Sequence, residues 1–589
     1  MDNMDVAALL EDLAVLLELK GENPFKTRAY TNGARVIENL TTPIKDLVHE
    51  ERLGELKGFG DALQSKVSEL VRTGSMQYYE DLKQSIPKGW LEMLHLPGLG
   101  PKKVRLLHQE LGIDDLSALK QACEADKVAA IKGFGPKSQQ KILEGIQFRE
   151  QYASHHRLDK ALVMSQSLLE ILRQWPEVIR SSEAGSLRRR KEILHDIDLL
   201  VSSRQPQIII DAFTQLSSVE KVLAKGDTKA SVILQGGVQA DLRVVEDQSF
   251  PFALAYFTGS KEHNIVMRRR AIERGLRLNE YGLFRSQEET RDMSLCVTCH
   301  EEADLFRALD LAYIPPELRE DSGEFEAASN GEVPRLVEWT DMKGSLHNHS
   351  DWSDGRETLE DIVQESLEHG FEYWAITDHS ASSFQANGLK PERLRAQISQ
   401  IRDLNESLRQ QGTGFQLLSG SEVDILSDGS LDYDDDLLGQ LDIVVASIHQ
   451  GFTQDKEQLT HRFIRAAQHP HVHMLGHLSG RLLLEREAYS IDHQSILEAC
   501  ASTGTWIELN ANPYRLDLDW RWWKRARDMG VKCVINCDAH HRDHAAFLRL
   551  GAEHARKGWL RREDILNTLP LEDLKEALKT KRRMAGLLD

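Results

Sequence analysis

The sequence predicts a multidomain chain of mixed α+β and α/β class: a helical N-terminal third, a mixed middle and a C-terminal run of βα units. Three observations predict it. A glycine-bounded helical segment occurs three times before residue 150, an apolar strand carrying alternating aspartates follows, and from Lys343 onward short apolar strands recur about every thirty residues. At 589 residues the chain exceeds what one hydrophobic core serves. The expected boundaries are a helical domain at 1–85, a second hairpin domain at 86–150, a mixed domain at 151–245, a following domain at 246–320, a linker at 321–340 and the βα domain at 341–589.

Composition narrows the classes. With 41% hydrophobic and 28% charged residues the chain is ordinarily globular, and no uninterrupted apolar run reaches the ~18 residues of a membrane helix, so no membrane partner is expected. The acidic start "MDNMDVAALLEDLAVLL" lacks the basic region and cleavage site of an export signal. Six cysteines are too few for a disulfide framework in so long a chain, which points to a reducing cytoplasm. "CVTCH" at Cys296–His300 matches a haem-attachment spacing, but that chemistry accompanies export and is set aside. A net charge of −20 excludes coating of nucleic acid by bulk attraction, leaving local contacts. "SLRRRKE" (186–192) and "MRRRAIERGLR" (267–277) are the basic islands available for them.

In the first third, "LKGFGDALQSKV", "LPGLGPKKVRLL" and "IKGFGPKSQQKI" each read apolar, x, Gly, apolar, Gly, then an amphipathic helix. Such a turn delivers backbone N–H groups to a helix N-terminus, where a phosphate can approach unhindered by side chains. The candidate DNA-backbone contacts are therefore Gly58, Gly60, Gly98, Gly100, Gly133 and Gly135. These segments resemble helix-hairpin-helix elements, which grip duplex or gapped DNA through the sugar-phosphate backbone.

The middle presents "AGSLRRRKEILHDIDLLV", whose end reads as a strand from Ile197 to Val201. Asp196 and Asp198, two apart, point to one face, and "GGVQADLRVV" supplies Asp241 from a hairpin strand. Three carboxylates on adjacent strands suit a pair of divalent ions serving phosphoryl transfer. Gly185 and Ser186 open a helix whose amides can hold a triphosphate, with Arg188 and Arg189 to neutralise it. "GSLRR", "DID", "DLR", "YFTGSKEHNIVMRRR" and "NEYGLF" then resemble, in order and spacing, the nucleotidyltransferase palm and thumb of the family X DNA polymerases. The resemblance implies that Asp196, Asp198 and Asp241 bind Mg²⁺ or Mn²⁺, with Asp241 the base for the primer 3′-hydroxyl. It further implies that Ser186 and Arg189 hold the triphosphate of a dNTP, that Tyr256, Phe257 and Gly259 line its sugar pocket, and that Asn264 and Arg268 reach the minor groove. Lys261 departs from the acidic residue expected there. In the same family Lys66 falls where lyase-competent members carry the lysine that attacks a 5′ deoxyribose phosphate, although Ala62 stands where those relatives place a second lysine.

The last third has seven recognisable strands, in "KGSLHNHS", "YWAITDHS", "QLLSGSEVDI", "DIVVASIHQ", "HVHMLGHLS", "TWIELNANP" and "KCVINCDAH". Nearly all finish in a metal-capable side chain: His347 and His349, His379, Glu422, His449, His477, then Asp538 and His540, with Asp354 close behind the first pair. Catalytic groups gather at that end of βα barrels. So many buried imidazoles and carboxylates need partners, and a mixed set without thiolate suits two or three ions of manganese, zinc or iron. The motifs resemble the PHP (polymerase and histidinol phosphatase) domain, a distorted seven-stranded βα barrel of metal-dependent phosphoesterases, with Glu508 and Asn510 in supporting places.

From end to end the chain resembles a bacterial family X DNA polymerase with a C-terminal PHP domain. The resemblance implies a monomeric, nucleoid-associated cytoplasmic enzyme acting on gapped or nicked double-stranded DNA with deoxynucleoside triphosphates. It would fill short gaps, resect 3′ ends in the 3′–5′ direction, cleave abasic sites and blocked 3′ termini, and show weak 5′ deoxyribose phosphate lyase activity. The competing classes are a small-molecule phosphatase, against which the intact aspartates and triphosphate handles speak, and a non-enzymatic DNA-end binder, against which two complete metal sites speak.

Overall fold

The structure, a computed structural model, describes residues 3–38, 40, 42–285, 293–584 and 586–587. The chain forms two compact units, Met1–Ala153 and Ser154–Asp589. No helix among the described residues is long and apolar enough to cross a membrane.

The first unit is helical around one core. In it α1 (Asp61–Thr73), α2 (Pro101–Leu111) and α3 (Pro136–Tyr152) have Gly60, Gly100 and Gly135 as their N-caps. In α1 the buried residues Leu63, Val67 and Leu70 fall four and three apart, the spacing of one helical face. Pro101 and Pro136 sit in the first turn, where a missing N–H costs nothing.

The second unit opens with a five-stranded sheet of β1 (Arg180–Glu183), β2 (Asp196–Ser202), β3 (Val219–Lys225), β4 (Lys229–Leu234) and β5 (Gln239–Val245), in the order β1-β2-β5-β4-β3. β2 and β5 run parallel, and the Gly236-Gly237 turn, at φ 93° and 82°, folds β4 back on β5. Between β1 and β2 a one-turn helix, α4 (Gly185–Arg188), lies against the sheet. Next come α5 (Phe250–Thr258), α6 (Lys261–Glu273) and α7 (Glu302–Ala308). The stretch 321–340, expected as a linker, is no free tether. It contains α8 (Glu324–Asn330), and Phe325, Ala328 and Leu336 are buried in the same core as Leu305 and Phe306. Its acidic composition misled because Glu324 is itself buried, paired with His263 at 3.0 Å.

From residue 344 onward the strands are β6 (Gly344–Ser345), β7 (Tyr373–Ile376), β8 (Gln416–Asp424), β9 (Ile443–Ser447), β10 (Met474–Leu475), β11 (Trp506–Asn510) and β12 (Cys533–Asn536). All are parallel and pair in chain order. Past their ends the first and last strands meet, with the Asp538 N–H donating to His347 O and the His349 N–H to Ala539 O, which brings the sheet round into a barrel. Every residue of β7, β9, β11 and β12 is buried, as expected of strands covered on both faces. Two further helices matter below: α9 (Phe547–Lys557), and α10 (Leu571–Met584), whose Leu574 and Leu578 join the barrel's inner core.

Candidate active sites

On the five-stranded sheet, Asp198 and Asp241 are direct partners across β2 and β5, and Asp196 shares the Asp198 face. Burial and then the charges of Asp196 and Asp241 push the Asp198 carboxyl up to about 7. Burial and Asp241 raise Asp196 as well. Asp241 differs: against burial, its bonds with Lys229 (2.7 Å), Gln239 (2.9 Å) and Ser231 hold it below the usual range. Mutual repulsion of this kind fits a place for divalent cations.

Gly185 is required where α4 meets this face. Its φ is +59°, and a Cβ there would lie 1.9 Å from Asp198 Oδ2. The basic island that follows is not a free patch: Arg188 pairs with Glu302 at 2.9 Å, Arg189 with Glu320 at 3.0 Å, and Arg190 with Glu183 and Glu553 at 2.5 and 2.9 Å. Their partners lie far along the chain or across the sheet, so the sequence displayed only the positive half. Arg188 is held in a buried network with Glu302, Arg319 and Thr258. Phe257 caps the Arg243 guanidinium at 4.3 Å, two residues along β5 from Asp241. Asn264 donates to Tyr256 O at 2.7 Å, and Arg268 donates to Asn264 O. Gly259 leaves 3.2 Å between the position of an added Cβ and Arg189 Nη1.

At the C-terminal end of the barrel Glu422 is the hub. His347, His349 and His379 approach its Oε2 at 3.3, 3.6 and 3.1 Å, and His449 and His477 approach Oε1 at 3.2 and 2.8 Å. Asp354 faces His379 at 3.6 Å and His540 at 3.4 Å, while Asp538 stands 3.2 Å from His349. Ligand atoms converge within 4.8 Å in overlapping groups: His349, Asp354, His379 and His540; His347, His349 and Glu422; His379, Glu422 and His449. His477 and Asp538 border these groups. Among the described residues, three buried ring nitrogens of the cluster, His347 Nε2, His349 Nδ1 and His379 Nδ1, have no hydrogen-bond partner, and imidazoles so placed in a carboxylate-lined hollow fit cation ligands. Burial, then His540 and His379, push His349 down to about 4, keeping its imidazole neutral.

Residues behind the cluster set its tautomers. Glu508 lies 2.7 Å from His347 Nδ1 and accepts from the His477 N–H, while Asn510 donates to both Glu508 and Asp538. Asp424 holds His449 Nδ1 at 2.8 Å and is fixed in turn by the Ser382 and Ser383 hydroxyls. Asp378 accepts from Ser350, Ser353 and Gln397 and so steadies the first histidine pair. The cluster opens into a cavity of about 550 Å³ that also presents Arg515 and Phe384. Arg515 stands 3.6 Å from Asp538, and Phe384 is 74% exposed at the mouth. Sequence reasoning missed Asp424, Arg515 and Phe384; only Asp424, two residues past Glu422 on one strand, left a signal.

In the first unit, Gly58, Gly98 and Gly133 take φ of +88°, +77° and +97°. All six hairpin glycines face open space, with nothing within 4 Å of an added Cβ. Lys66 lies 4.7 Å from the Tyr78 ring, and Lys26 lies 5.4 Å from the same ring. Cys299 is buried in the core beside Leu305, with Cys296 packed against it, so "CVTCH" serves packing.

An aspartate-bearing mixed sheet followed by a histidine-rich parallel barrel defines a nucleotidyltransferase joined to a phosphoesterase. Family models agree: a helix-hairpin-helix domain matches residues 1–76, a SAM-like helix-hairpin-helix tandem 91–147, the DNA polymerase beta thumb 253–320 and the PHP domain 345–512. The chain is 39% identical to the DNA polymerase/3′-5′ exonuclease PolX of Bacillus subtilis over 98% of its own length and 100% of that protein's, and it belongs to that family. A probable phosphatase of Thermoanaerobacter sp. (strain X514) is 27% identical over 39% of this chain and 91% of its own. Leishmania infantum polymerase beta, solved as a ternary P/T complex, aligns with 39% of this chain and 99% of its own at 23% identity, with a TM-score of 0.27.

Proposed function

We propose that the chain is a DNA-directed DNA polymerase with a separate metal-dependent 3′–5′ exonuclease, filling short gaps and trimming 3′ ends in DNA repair. One observation carries the reading: two carboxylate-rich sites stand on different sheets of one chain, in a family whose Bacillus subtilis member is named for both activities. The phosphatase likeness reaches only 39% of the chain and leaves the aspartate face unexplained.

At the palm, Asp196, Asp198 and Asp241 would hold Mg²⁺ or Mn²⁺, which supplies charge for the attacking oxygen and the leaving phosphate. Asp241 accepts the primer hydroxyl proton. Ser186 and the α4 amides receive the triphosphate with Arg189, and Tyr256, Phe257 and Gly259 bound the sugar, with Asn264 and Arg268 on the minor-groove side. At the barrel, His347, His349, Asp354, His379, Glu422, His449, His477, Asp538 and His540 would hold two or three ions, which activate water and polarise the phosphodiester. There Arg515 offers its guanidinium to the phosphate, and Phe384 stacks on the base of a frayed 3′ end. The open glycine hairpins take the DNA backbone without reading sequence. Lys66, whose ammonium lies with that of Lys26 beside the Tyr78 ring, is the lysine assigned to a weak lyase activity at 5′ deoxyribose phosphate.

The test is one primer-extension assay on gapped DNA with Mg²⁺ and with Mn²⁺, run with and without nucleotides. Extension with nucleotides and 3′ resection without them are expected. Phosphate release from small monoesters with neither DNA activity would replace this reading with the phosphatase one.

A further inference from the structure

The turn that carries Arg189 is held from outside the palm. Lys557, the last residue of α9, is fully buried, and its ammonium donates to Glu320 Oε1 at 2.6 Å and to Arg189 O at 3.0 Å. Glu320 Oε1 also accepts from Arg189 Nε at 3.0 Å, so one carboxylate oxygen is shared between the two cations. One turn earlier on α9, Glu553 pairs at 2.9 Å with Arg190, which sits in the left-handed region at φ 57°. A non-glycine residue rarely keeps that conformation unless its surroundings hold it. One face of a barrel helix thus grips two successive residues just after α4. Trp520 closes the site 4.5 Å from the Lys557 ammonium, and burial lowers that group to about 8 against the pull of Glu320.

Resting on the reading of Arg189 as a triphosphate ligand, we propose that Lys557 of the barrel is a positioning residue of the polymerase site. By taking a share of Glu320 it keeps that carboxylate from neutralising Arg189, and by bonding Arg189 O it fixes where the guanidinium is presented. Without it, Glu320 turns its whole charge on Arg189 and competes with the incoming triphosphate.

The experiment is single-nucleotide insertion by the full chain on gapped DNA, for Lys557→Met and for Lys557→Gln, which keeps a donor for Glu320. KM for the dNTP is expected to rise about tenfold with kcat changed less than about threefold, while 3′ resection is unaltered. Adding Glu320→Gln to Lys557→Met should return KM to within about threefold of wild type, a rescue that lost packing would not show. Arg189→Ala run alongside separates the failures. If it leaves KM unchanged, the triphosphate reading falls and this proposal with it. If it raises KM while folded Lys557 variants do not, the proposal alone is overturned; unfolding of both variants would likewise overturn it, assigning Lys557 to stability only.

Discussion

At the scale of single residues, the barrel cluster depends on groups that touch no substrate. Glu508 fixes His347 through Nδ1, leaving Nε2 to face Glu422. Glu508→Gln should therefore lower 3′ resection by about 10- to 100-fold, the usual cost of removing such a partner, with extension unchanged. Equal resection by the variant would show that the histidine is oriented otherwise. The residues of the cluster could be picked out in the sequence because parallel strands deliver their last residues to one rim. Of the support only Glu508 and Asn510 were singled out: Asp378 reaches Gln397, and Asp424 reaches Ser382, through folded contacts that no spacing encodes. Lys66 makes a sharper test. Borohydride should trap a protein–DNA adduct on a 5′ deoxyribose phosphate end in wild type and not in Lys66→Ala, and no adduct in wild type would reduce the first unit to a DNA grip.

At the scale of elements, the helical hairpins were readable because glycine has few reasons to occupy such positions. Gly98 takes φ +77° and faces open space. Gly98→Ala should strain the turn and weaken binding to gapped DNA uniformly across sequences, with the slope of log affinity against log salt falling by about one. Sequence-dependent loss would contradict backbone gripping. The basic island was misleading in the opposite sense, since its acids arrive from Glu302, Glu320 and Glu553. Glu302 ties α4 to the segment after α7 through Arg188 and Arg319. Despite burial, those charges hold its carboxyl well below the usual range. A depressed folded value stabilises fully above the ordinary glutamate pKa of about 4.3, and the contribution fades as pH falls below that. Glu302→Gln should thus cost about 3 kcal/mol at pH 7, since it leaves Arg319 buried without a counter-charge, and the gap from wild type should narrow in acid. Urea unfolding at pH 7 and pH 4 measures both, and a gap that widens in acid would refute the sign.

At the scale of the whole molecule, the sequence displayed separate patterns that the structure joins into fewer bodies. The palm core takes in Leu483, Leu516 and Leu550 from the barrel region, and Glu192 is held by Trp520 and Arg521. Such docking escapes sequence reading because each buried residue there belongs to a pattern that already explains it locally. Although joined, the aspartate face and the histidine rim share no ligand among the described residues. Their chemistries should therefore separate cleanly. The most direct measurement follows one gapped substrate through extension and 3′ resection for Asp198→Ala and His349→Ala. Asp198→Ala should lose extension by at least about a hundredfold and keep resection, and His349→Ala should do the reverse. Loss of both activities in either folded variant, or retention of extension by Asp198→Ala, would contradict two independent sites on one chain.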